Sequence, residues 1–335
     1  MSISDSHRRL FNEKRNFGKL APAACVAISV ALFIVSFPVH VIQAHETSQE
    51  SSTSASPRLA TQTYVTVDLL AVDDRNNLIT DLRPDELKVR EEGQQVPIVT
   101  LRPSKNDPQM LLLLFDLSGS QRDSRVLGEQ CRQAAAIVRK IWQPNKVGVI
   151  LGFAQSVRIL GGPSDDAELL AKTIEDVPHQ TFWGPTSRYD ALISFDKTKL
   201  SDSSRSKNLV VFSDFQDNSS KTSVSGVQEY LRATSLRVFA FLPPSKEQSV
   251  QRSAASRKAS RMAGELVEGS GGRVWELKSV NDVEKSLQGL RSALDFSYRL
   301  TYSSGLTGKE SERDLKIECT RRNVRLVFAP KVFHP

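Results

Sequence analysis

Residues 110–120 read MLLLLFDLSGS, an unbroken apolar run that ends in a short polar segment. A strand covered by helices on both faces of a parallel sheet has this continuous apolar pattern, because neither face meets water. Residues 127–142 then place apolar side chains at helical spacing. The stretch therefore predicts a buried strand, a polar loop and a helix, which is the repeating unit of a parallel α/β fold.

The alternation continues along the chain. Further apolar strands are predicted at residues 147–153, 208–212, 236–242 and 272–277, with a short edge strand at 157–160. Helices are predicted at residues 167–175, 187–195, 224–233, 254–268 and 280–294. Strands that alternate with helices predict a doubly wound, mostly parallel sheet of the Rossmann-like α/β class.

Strand-like sequence lies on both sides of this α/β region, which we assign to residues 107–294. Residues 63–106 hold several short runs of β-forming residues separated by turns, and residues 295–335 return to the same pattern. Neither flank is large enough to make a stable sheet alone. We therefore expect both flanks to pair into one small β module, a sandwich from which the α/β domain protrudes as an insertion.

The N-terminal segment predicts export. Residues 1–19 form a basic, cytoplasmic stretch, and residues 20–42 contain no Asp, Glu, Lys or Arg. This charge layout is typical of a secretory signal or a membrane anchor. Residues 20–44 are thus expected to be a cleaved signal peptide or a retained anchor in the inner membrane, followed by a flexible Ser/Thr-rich linker at 45–62. The predicted location is periplasmic or extracellular.

Charge and cysteine content exclude other classes of protein. The formal net charge is +7, but part of it lies at the N-terminus and the rest of the chain is nearly balanced. A nucleic-acid partner is not expected, because no basic face is concentrated in the sequence. The three cysteines, Cys25, Cys131 and Cys319, do not form a disulfide framework. Cys131 lies on an apolar helix face, which predicts a buried thiol, and its pairing with Cys319 is left open.

Polar residues cluster where predicted strands end. In open parallel sheets, ligands bind at the carboxyl ends of the strands. The candidate metal ligands at these ends are Asp116, Ser118, Ser120, Thr186 and Asp214. Their carboxylate and hydroxyl oxygens suit a hard divalent cation, with Mg²⁺ expected and Mn²⁺ or Ca²⁺ as alternatives. The spacing of two residues between the first three lets one tight turn direct three oxygens at a single point.

This pattern, Asp-x-Ser-x-Ser followed by a later Thr and a later Asp, resembles the metal-ion-dependent adhesion site (MIDAS) of von Willebrand factor A domains. The resemblance covers roughly residues 107–294. It implies that Ser118, Ser120 and Thr186 bind the metal directly. It also implies that Asp116 and Asp214 bind it directly or through water. The remaining coordination position would take an acidic side chain from a partner protein, and the implied function is metal-dependent recognition or adhesion.

A closer resemblance covers the whole exported part. Residues 65–99, 184–192, 211–220 and 298–333 are similar to the "VWFA-related acidobacterial domain" family of bacterial proteins. That family defines an architecture rather than a biochemical role, so it names no ligand. The aspartate loop and the threonine loop each show a further feature. Phe215 follows the loop aspartate where many A domains have glycine, and Pro185 is expected to stiffen the threonine loop.

Three alternatives remain beside this interpretation. A serine hydrolase would need Gly-x-Ser-x-Gly and a histidine, but the leading glycine is missing and His179 is the single histidine on a plausible loop. A phosphatase of the haloacid dehalogenase type would need a second aspartate where Ser118 stands. We therefore expect no catalytic residues and no enzyme. An envelope scaffold without a functional metal site is the third alternative. Within the loops, Thr181 and Ser187 compete with Thr186, and Asp217 competes with Asp214.

Overall fold

The computed structural model describes residues 63–122, 125–180, 182, 184–195, 205–243, 254–279, 281–305 and 311–334. The predicted signal or anchor, the linker and Cys25 lie outside these residues. Among the helices that are described, none is both long and apolar enough to cross a membrane.

The secondary structure alternates as the sequence predicts. The strands are β1 (Thr63–Val72), β2 (Leu87–Glu91), β3 (Gln94–Val96), β4 (Ile98–Pro103), β5 (Gln109–Asp116), β6 (Lys146–Phe153), β7 (Val157–Ser164), β8 (Ser206–Phe212), β9 (Leu236–Leu242), β10 (Arg273–Glu276), β11 (Tyr298–Ser304), β12 (Ser311–Cys319), β13 (Arg325–Phe328) and β14 (Lys331–His334). The α-helices are α1 (Gly119–Arg122), α2 (Arg125–Ile141), α3 (Ala167–Asp176), α4 (Arg188–Leu192), α5 (Val224–Thr234), α6 (Ala254–Gly269) and α7 (Asp282–Asp295).

A six-stranded sheet forms the centre of the fold, in the order β10-β9-β8-β5-β6-β7. All neighbouring strands are parallel except β7, which runs antiparallel to β6 at the edge. Helices α2, α3 and α7 cover one face, and α4, α5 and α6 cover the other. Leu114 and Phe115 on β5 are therefore fully buried on opposite faces, and each contributes about 1.5–3 kcal/mol by leaving water. The predicted doubly wound, mostly parallel sheet is confirmed.

Four aromatic rings stack across the sheet just below the ends of the strands. Phe115 packs on Phe212 with ring centroids 4.5 Å apart, and Phe212 packs on Phe241 at 4.9 Å. Phe241 in turn packs on Trp275 at 5.0 Å. The four residues are register partners on adjacent strands, and stacked pairs of this kind add about 0.5–1.5 kcal/mol each. This row holds the ends of β5 and β8 level, so that the loops that follow them start side by side.

The flanking strands pair with each other rather than separately. β1 is antiparallel to β11 and β13, and β12 is antiparallel to β2 and β14. The two resulting four-stranded sheets, β13-β1-β11-β4 and β14-β12-β2-β3, share one apolar cluster that includes Leu69, Val89, Leu300 and Ile317. This confirms the expected β module built from N- and C-terminal strands.

A buried polar network joins the β module to the amino-terminal ends of the parallel strands. Arg237 on β9 donates from Nε and Nη2 to Asn208 Oδ1, at 3.0 and 2.8 Å, and from Nη1 to Ser297 Oγ at 2.7 Å. Arg299 on β11 pairs with Asp68 on β1. The network lies at the end of the sheet opposite to the polar loops, which are thus left accessible.

Some elements differ in extent from those predicted. The helix expected at 187–195 is limited to α4, because the chain leaves helical geometry at Ile193. The edge strand expected at 157–160 continues to Ser164, because pairing with β6 carries it through residues that do not favour strands. Cys131 and Cys319 are both free. Burial raises the pKa of the Cys131 thiol far above its usual range, which makes it unreactive.

Candidate metal centre

The candidate site lies where the order of the strands reverses. β5 and β8 are neighbours in the sheet although β6 and β7 separate them in the chain. In doubly wound sheets this switch point opens a crevice at the carboxyl ends of the strands. Asp116 is the last residue of β5, and Asp214 follows two residues after the end of β8. The topology therefore brings the two predicted carboxylates to one crevice.

Asp116 is fully buried, with 0% of its surface exposed. Its Oδ1 accepts the backbone N–H of Ser118 at 3.0 Å, and its Oδ2 accepts the hydroxyl of Ser213 at 2.6 Å. Burial, with a smaller contribution from the nearby Asp214 charge, raises the pKa of Asp116 to about 6 against the opposing hydrogen bonds from Ser118 and Ser213. Two carboxylates that repel each other in a buried crevice are the electrostatic setting in which a cation is favourable.

Asp214 connects the two loops that follow β5 and β8. Its Oδ1 accepts the backbone N–H of Gln216 at 2.9 Å, and its Oδ2 accepts Nε2 of Gln121 at 2.7 Å. Gln121 is buried in the short helix α1. The side chain of Gln121 therefore fixes the orientation of the Asp214 carboxylate from the opposite loop.

Phe215 occupies the position after the loop aspartate where glycine is common in A domains. Its φ is 57°, in the left-handed region, which costs a non-glycine residue roughly 1–2 kcal/mol. The side chain is 1% exposed and packs beside Arg188. Burial of the phenyl ring is worth a similar amount, so the strained backbone is offset by packing under the site. The phenyl ring therefore makes an apolar contact beside the site.

The threonine loop is attached to the aspartate loop. The Thr186 N–H donates to Asn218 Oδ1 at 2.9 Å, and the Thr186 carbonyl accepts the Asn218 N–H at 3.2 Å. Thr186 is buried, and its neighbour Ser187 pairs its hydroxyl with that of Ser219 at 2.7 Å. This two-point attachment positions Thr186 next to the loop that carries Asp214.

Asp217 caps the helix that begins after Thr186. Its Oδ2 accepts the N–H groups of Arg188 at 2.8 Å and Tyr189 at 3.1 Å, together with the hydroxyl of Ser220. Ser187, at the N-cap position of α4, makes no side-chain capping bond. Asp217 thus supplies the capping carboxylate from the other loop. Its carboxylate, which the sequence offered as an alternative metal ligand to Asp214, is used for this cap.

Replacing Asp217 with alanine should therefore lower both stability and metal affinity. Loss of a capping carboxylate costs about 1–2 kcal/mol of unfolding free energy, and release of the threonine loop should weaken any site that uses Thr186. Urea unfolding and metal titration of Asp217→Ala measure the two effects. Asp165→Ala, an exposed aspartate just after β7 at the other end of the sheet, is the matched control. Unchanged stability and affinity in Asp217→Ala would contradict the capping role.

Arg188 is a buried charge beneath the site. Its side chain is 1% exposed, lies 4.3 Å from the Tyr189 ring and 5.0 Å from the Phe215 ring, and its Nε and Nη1 make no hydrogen bond to the residues described. Burial lowers its pKa, while the charges of Tyr189, Asp217 and Asp214 act to raise it. The guanidinium therefore adds positive charge under the aspartate loop.

The donor set fits a hard divalent cation. Asp116, Ser118 and Asp214 are brought to the crevice by the hydrogen bonds above, and Thr186 is held there through Asn218. Ser120 lies within α1, on the same loop. In the part of the chain that is described, no three His, Cys, Asp or Glu residues gather into a cluster. Two carboxylates together with hydroxyl groups suit a hard cation such as Mg²⁺ that keeps one coordination position open. They do not suit a structural zinc site, in which protein side chains fill all four positions.

Sequence reasoning missed the residues that hold the predicted ligands in place. Ser213 and Gln121 are close in sequence to predicted ligands, so position alone could have indicated them. Asn218 and Arg188 carried no comparable signal, because an amide in a polar loop and a basic residue at a helix start are usually solvated. Thr181, the alternative on the threonine loop, lies outside the described residues.

Comparisons with known proteins find similarity among solved structures alone. No protein-family model matches the chain, and no curated protein matches it. Similar solved structures include a von Willebrand factor type A protein from Catenulispora acidiphila, with 9% identity, a TM-score of 0.45, and 82% of this chain and 74% of that chain covered. Proximal thread matrix protein 1 from the mussel byssus, with a zinc-occupied MIDAS motif, has 16% identity, a TM-score of 0.45, and coverage of 57% and 49%. The conserved hypothetical protein BatB from Bacteroides thetaiotaomicron has 14% identity, a TM-score of 0.41, and coverage of 55% and 98%.

The central domain has the mostly parallel α/β sheet, with polar loops at the switch point between β5 and β8, that the sequence resemblance to von Willebrand factor A domains implied. The narrower resemblance to the acidobacterial family stays a prediction.

Proposed function

We propose that this protein recognises a partner protein through a divalent cation bound at the switch point of its von Willebrand factor A-like domain. The cation would be held by Asp116, Ser118, Ser120, Thr186 and Asp214, with Mg²⁺ as the expected ion. When bound, it would supply a positively charged open position for a carboxylate of the partner. The protein would not be an enzyme.

One observation carries this proposal: two carboxylates meet in a crevice where one of them is completely buried. Asp116 is 0% exposed, and the charge of Asp214 adds to the rise in its pKa. Without a cation, this arrangement costs the fold energy. With a divalent cation, two carboxylates balance the charge of the ion, while the hydroxyl ligands add none, so affinity for an acidic partner group is retained.

The surrounding residues would keep this site ready for a ligand. Gln121 restrains Asp214 from one side, and Asn218 holds Thr186 to the same loop. Pro185 is exposed next to Thr186, which places a rigid residue at the rim where a partner would approach. Restrained ligands reduce the entropy lost on binding, so the geometry favours recognition rather than a mobile, closing active site.

Export is part of the proposal and depends on the N-terminal sequence. The basic stretch at residues 1–19 and the uncharged stretch at 20–42 would direct the chain to the periplasm or the cell exterior, with or without a retained anchor. An acidic side chain on another exported or cell-surface protein is then the proposed ligand.

Calorimetric titration of Mg²⁺ and Mn²⁺ into the purified chain tests the proposal. We expect saturable binding in the wild type and a loss of at least about tenfold in affinity in both Asp116→Ala and Asp214→Ala, because each substitution removes a charged ligand. Asp165→Ala removes the same charge at the opposite end of the sheet and should bind like the wild type.

Folding of each variant is checked by circular dichroism and urea unfolding in EDTA, so that loss of the site is separated from loss of the fold. If the folded wild type binds neither ion, the recognition proposal fails and the scaffold alternative gains support. If Asp165→Ala loses affinity as much as the site variants, the binding is non-specific and the proposed ligands are wrong.

A further inference from the structure

A second concave site lies away from the metal centre. A cavity of about 290 Å³ lies between helix α6, the edge strand β10 and the edge strand β13 of the β module. Gly264 of α6 and Gly272 before β10 both line it. A Cβ built on Gly264 would meet no atom within 4 Å, so the helix leaves open space on this side. None of the metal-centre residues lines the cavity.

Two arginines from different parts of the chain converge in this cavity on one asparagine. Arg273 of β10 donates from Nη1 to the Asn76 carbonyl at 3.2 Å, and Arg325 of β13 donates from Nη2 to Asn76 Oδ1 at 2.9 Å. Asn76 has a φ of 61° in the turn after β1. In this conformation its backbone carbonyl accepts a hydrogen bond from one arginine and its side-chain oxygen accepts one from the other. The Arg273 guanidinium also lies 5.4 Å from the Trp275 ring.

The positive charge of this pair is not balanced by a carboxylate contact. Among the residues that the structure describes, neither Arg273 nor Arg325 forms an ion pair, and each uses one of its nitrogens on Asn76. The pKa of Arg273 is lowered first by burial and then by the charge of Arg325. A structural salt bridge neutralises charge, whereas here a neutral asparagine holds two positive charges close together. Each guanidinium still has N–H donors that do not contact Asn76.

We propose that this cavity is a binding site for a small monocarboxylate, which Arg273 and Arg325 hold between their remaining N–H donors. Guanidinium groups form paired, charge-assisted hydrogen bonds with carboxylates, and a bound carboxylate relieves the repulsion between the two arginines. The volume suits a ligand of about the size of an amino acid, at the small end of ligand pockets.

A glutamate sets the expected selectivity. Glu268 of α6 also lines the cavity and is exposed. Its negative charge disfavours a phosphate dianion and favours a ligand that carries one carboxylate and a neutral or positive remainder. Glycine, which has both a carboxylate and an ammonium group, should therefore bind better than acetate, and acetate better than inorganic phosphate.

The test follows the indole N–H signals by two-dimensional ¹H–¹⁵N NMR during titration with glycine, acetate or inorganic phosphate at constant ionic strength. Trp275 lies beside Arg273 and is the reporter. Trp142, which directly follows α2 and does not line the cavity, is the reference. We expect saturable shifts of the Trp275 signal with glycine at a dissociation constant on the order of 1–10 mM.

Three variants and one control identify the site. Arg273→Met and Arg325→Met should each weaken glycine binding by about tenfold or more, because each removes charge-assisted hydrogen bonds. Gly264→Leu should block the cavity while leaving the helix folded, since its side chain enters open space. Arg322→Met removes an exposed arginine near β13 that does not line the cavity, and it should bind glycine like the wild type.

Four results would overturn the proposal. The first is a Trp275 shift that does not saturate, or that chloride alone reproduces. The second is equal weakening in Arg322→Met, which would make the effect one of general charge. The third is phosphate binding more tightly than glycine or acetate, which would exclude the monocarboxylate class. Because Gly264→Leu keeps both arginines, retained binding in that folded variant would also contradict the assigned location.

Discussion

Replacing Asp116 with asparagine should make the metal-free protein more stable at neutral pH, even though it removes a predicted metal ligand. In EDTA at pH 7, we expect the unfolding free energy of Asp116→Asn to exceed that of the wild type by about 1–3 kcal/mol. Urea unfolding of both proteins between pH 4 and pH 8 measures this difference.

The sign follows from the burial of Asp116. Its pKa rises from the ordinary value of 3.8 to about 6, first because of burial, with the Asp214 charge adding to the rise. An acid whose pKa is higher in the folded state binds its proton more tightly there. Its contribution is fully present below about pH 4 and is lost as the pH rises through 6, at a cost of about 3 kcal/mol above that range. Asparagine is neutral throughout, so this loss should disappear, less the weakening of the bonds from Ser118 and Ser213.

Metal should reverse the order of the two proteins. A cation that binds the folded state alone stabilises it in proportion to the logarithm of its concentration over the dissociation constant, about 2.7 kcal/mol at a hundredfold excess. The wild type should gain this stability with Mg²⁺ or Mn²⁺, whereas Asp116→Asn should gain little. Asp165→Asn is the control and should behave as the wild type does. Equal pH profiles for the wild type and Asp116→Asn in EDTA would refute the account of a strained carboxylate.

The central sheet could be predicted because its signal is local. The run at residues 110–115 is apolar at every position, and the structure buries Leu112 and Leu114 under one set of helices and Leu113 and Phe115 under the other. Burial on two faces leaves no alternative to a covered strand in a parallel sheet. The strand ends were predicted for the same reason, since the change from apolar to polar residues coincides with the edge of the core.

The β module was harder to predict, because its strands are paired over long distances in the chain. Each of its strands alternates only partly, and nothing in β1 specifies β11 rather than β12 as its neighbour. The argument from size was sufficient to predict that the flanks pair into a sandwich, but it gave neither the register of Val67 with Leu300 nor the assignment of each strand to one of the two sheets. Register depends on packing between both partners, which no single segment contains.

The candidate site could also be predicted only in part. Its predicted ligands have residue types that the chemistry of a divalent cation requires, so the pattern at residues 116–120 was informative. The residues that position them act through geometry alone. Asn218 reaches Thr186 across 32 positions of sequence, and Arg188 is buried although arginine is usually exposed. Such contacts become visible only when the loops have been placed in space.

Gly264 in helix α6 and Gly272 just after it should respond in opposite ways when each is replaced with alanine. Gly272→Ala should lower the unfolding free energy by roughly 4 kcal/mol or more, enough to unfold a protein of ordinary stability under mild conditions. A Cβ at this position would lie 1.7 Å from the carbonyl oxygen of Val238 on β9. The clash is with the backbone of β9, so no side-chain rotation can relieve it, and β10 would have to separate from β9. Soluble yield and urea unfolding measure the effect.

Gly264→Ala is the matched control, because it makes the same chemical change eight positions earlier. Its Cβ would meet no atom within 4 Å, and alanine is favoured over glycine inside a helix by about 1 kcal/mol. This variant should therefore be slightly more stable than the wild type. Both glycines belong to one short segment, residues 263–272, that reads AGELVEGSGG, and sequence gives no reason to separate them. The opposite signs arise because one glycine faces open space and the other lies against a strand. A loss of less than about 1 kcal/mol in Gly272→Ala would mean that β10 does not approach β9 as closely as described.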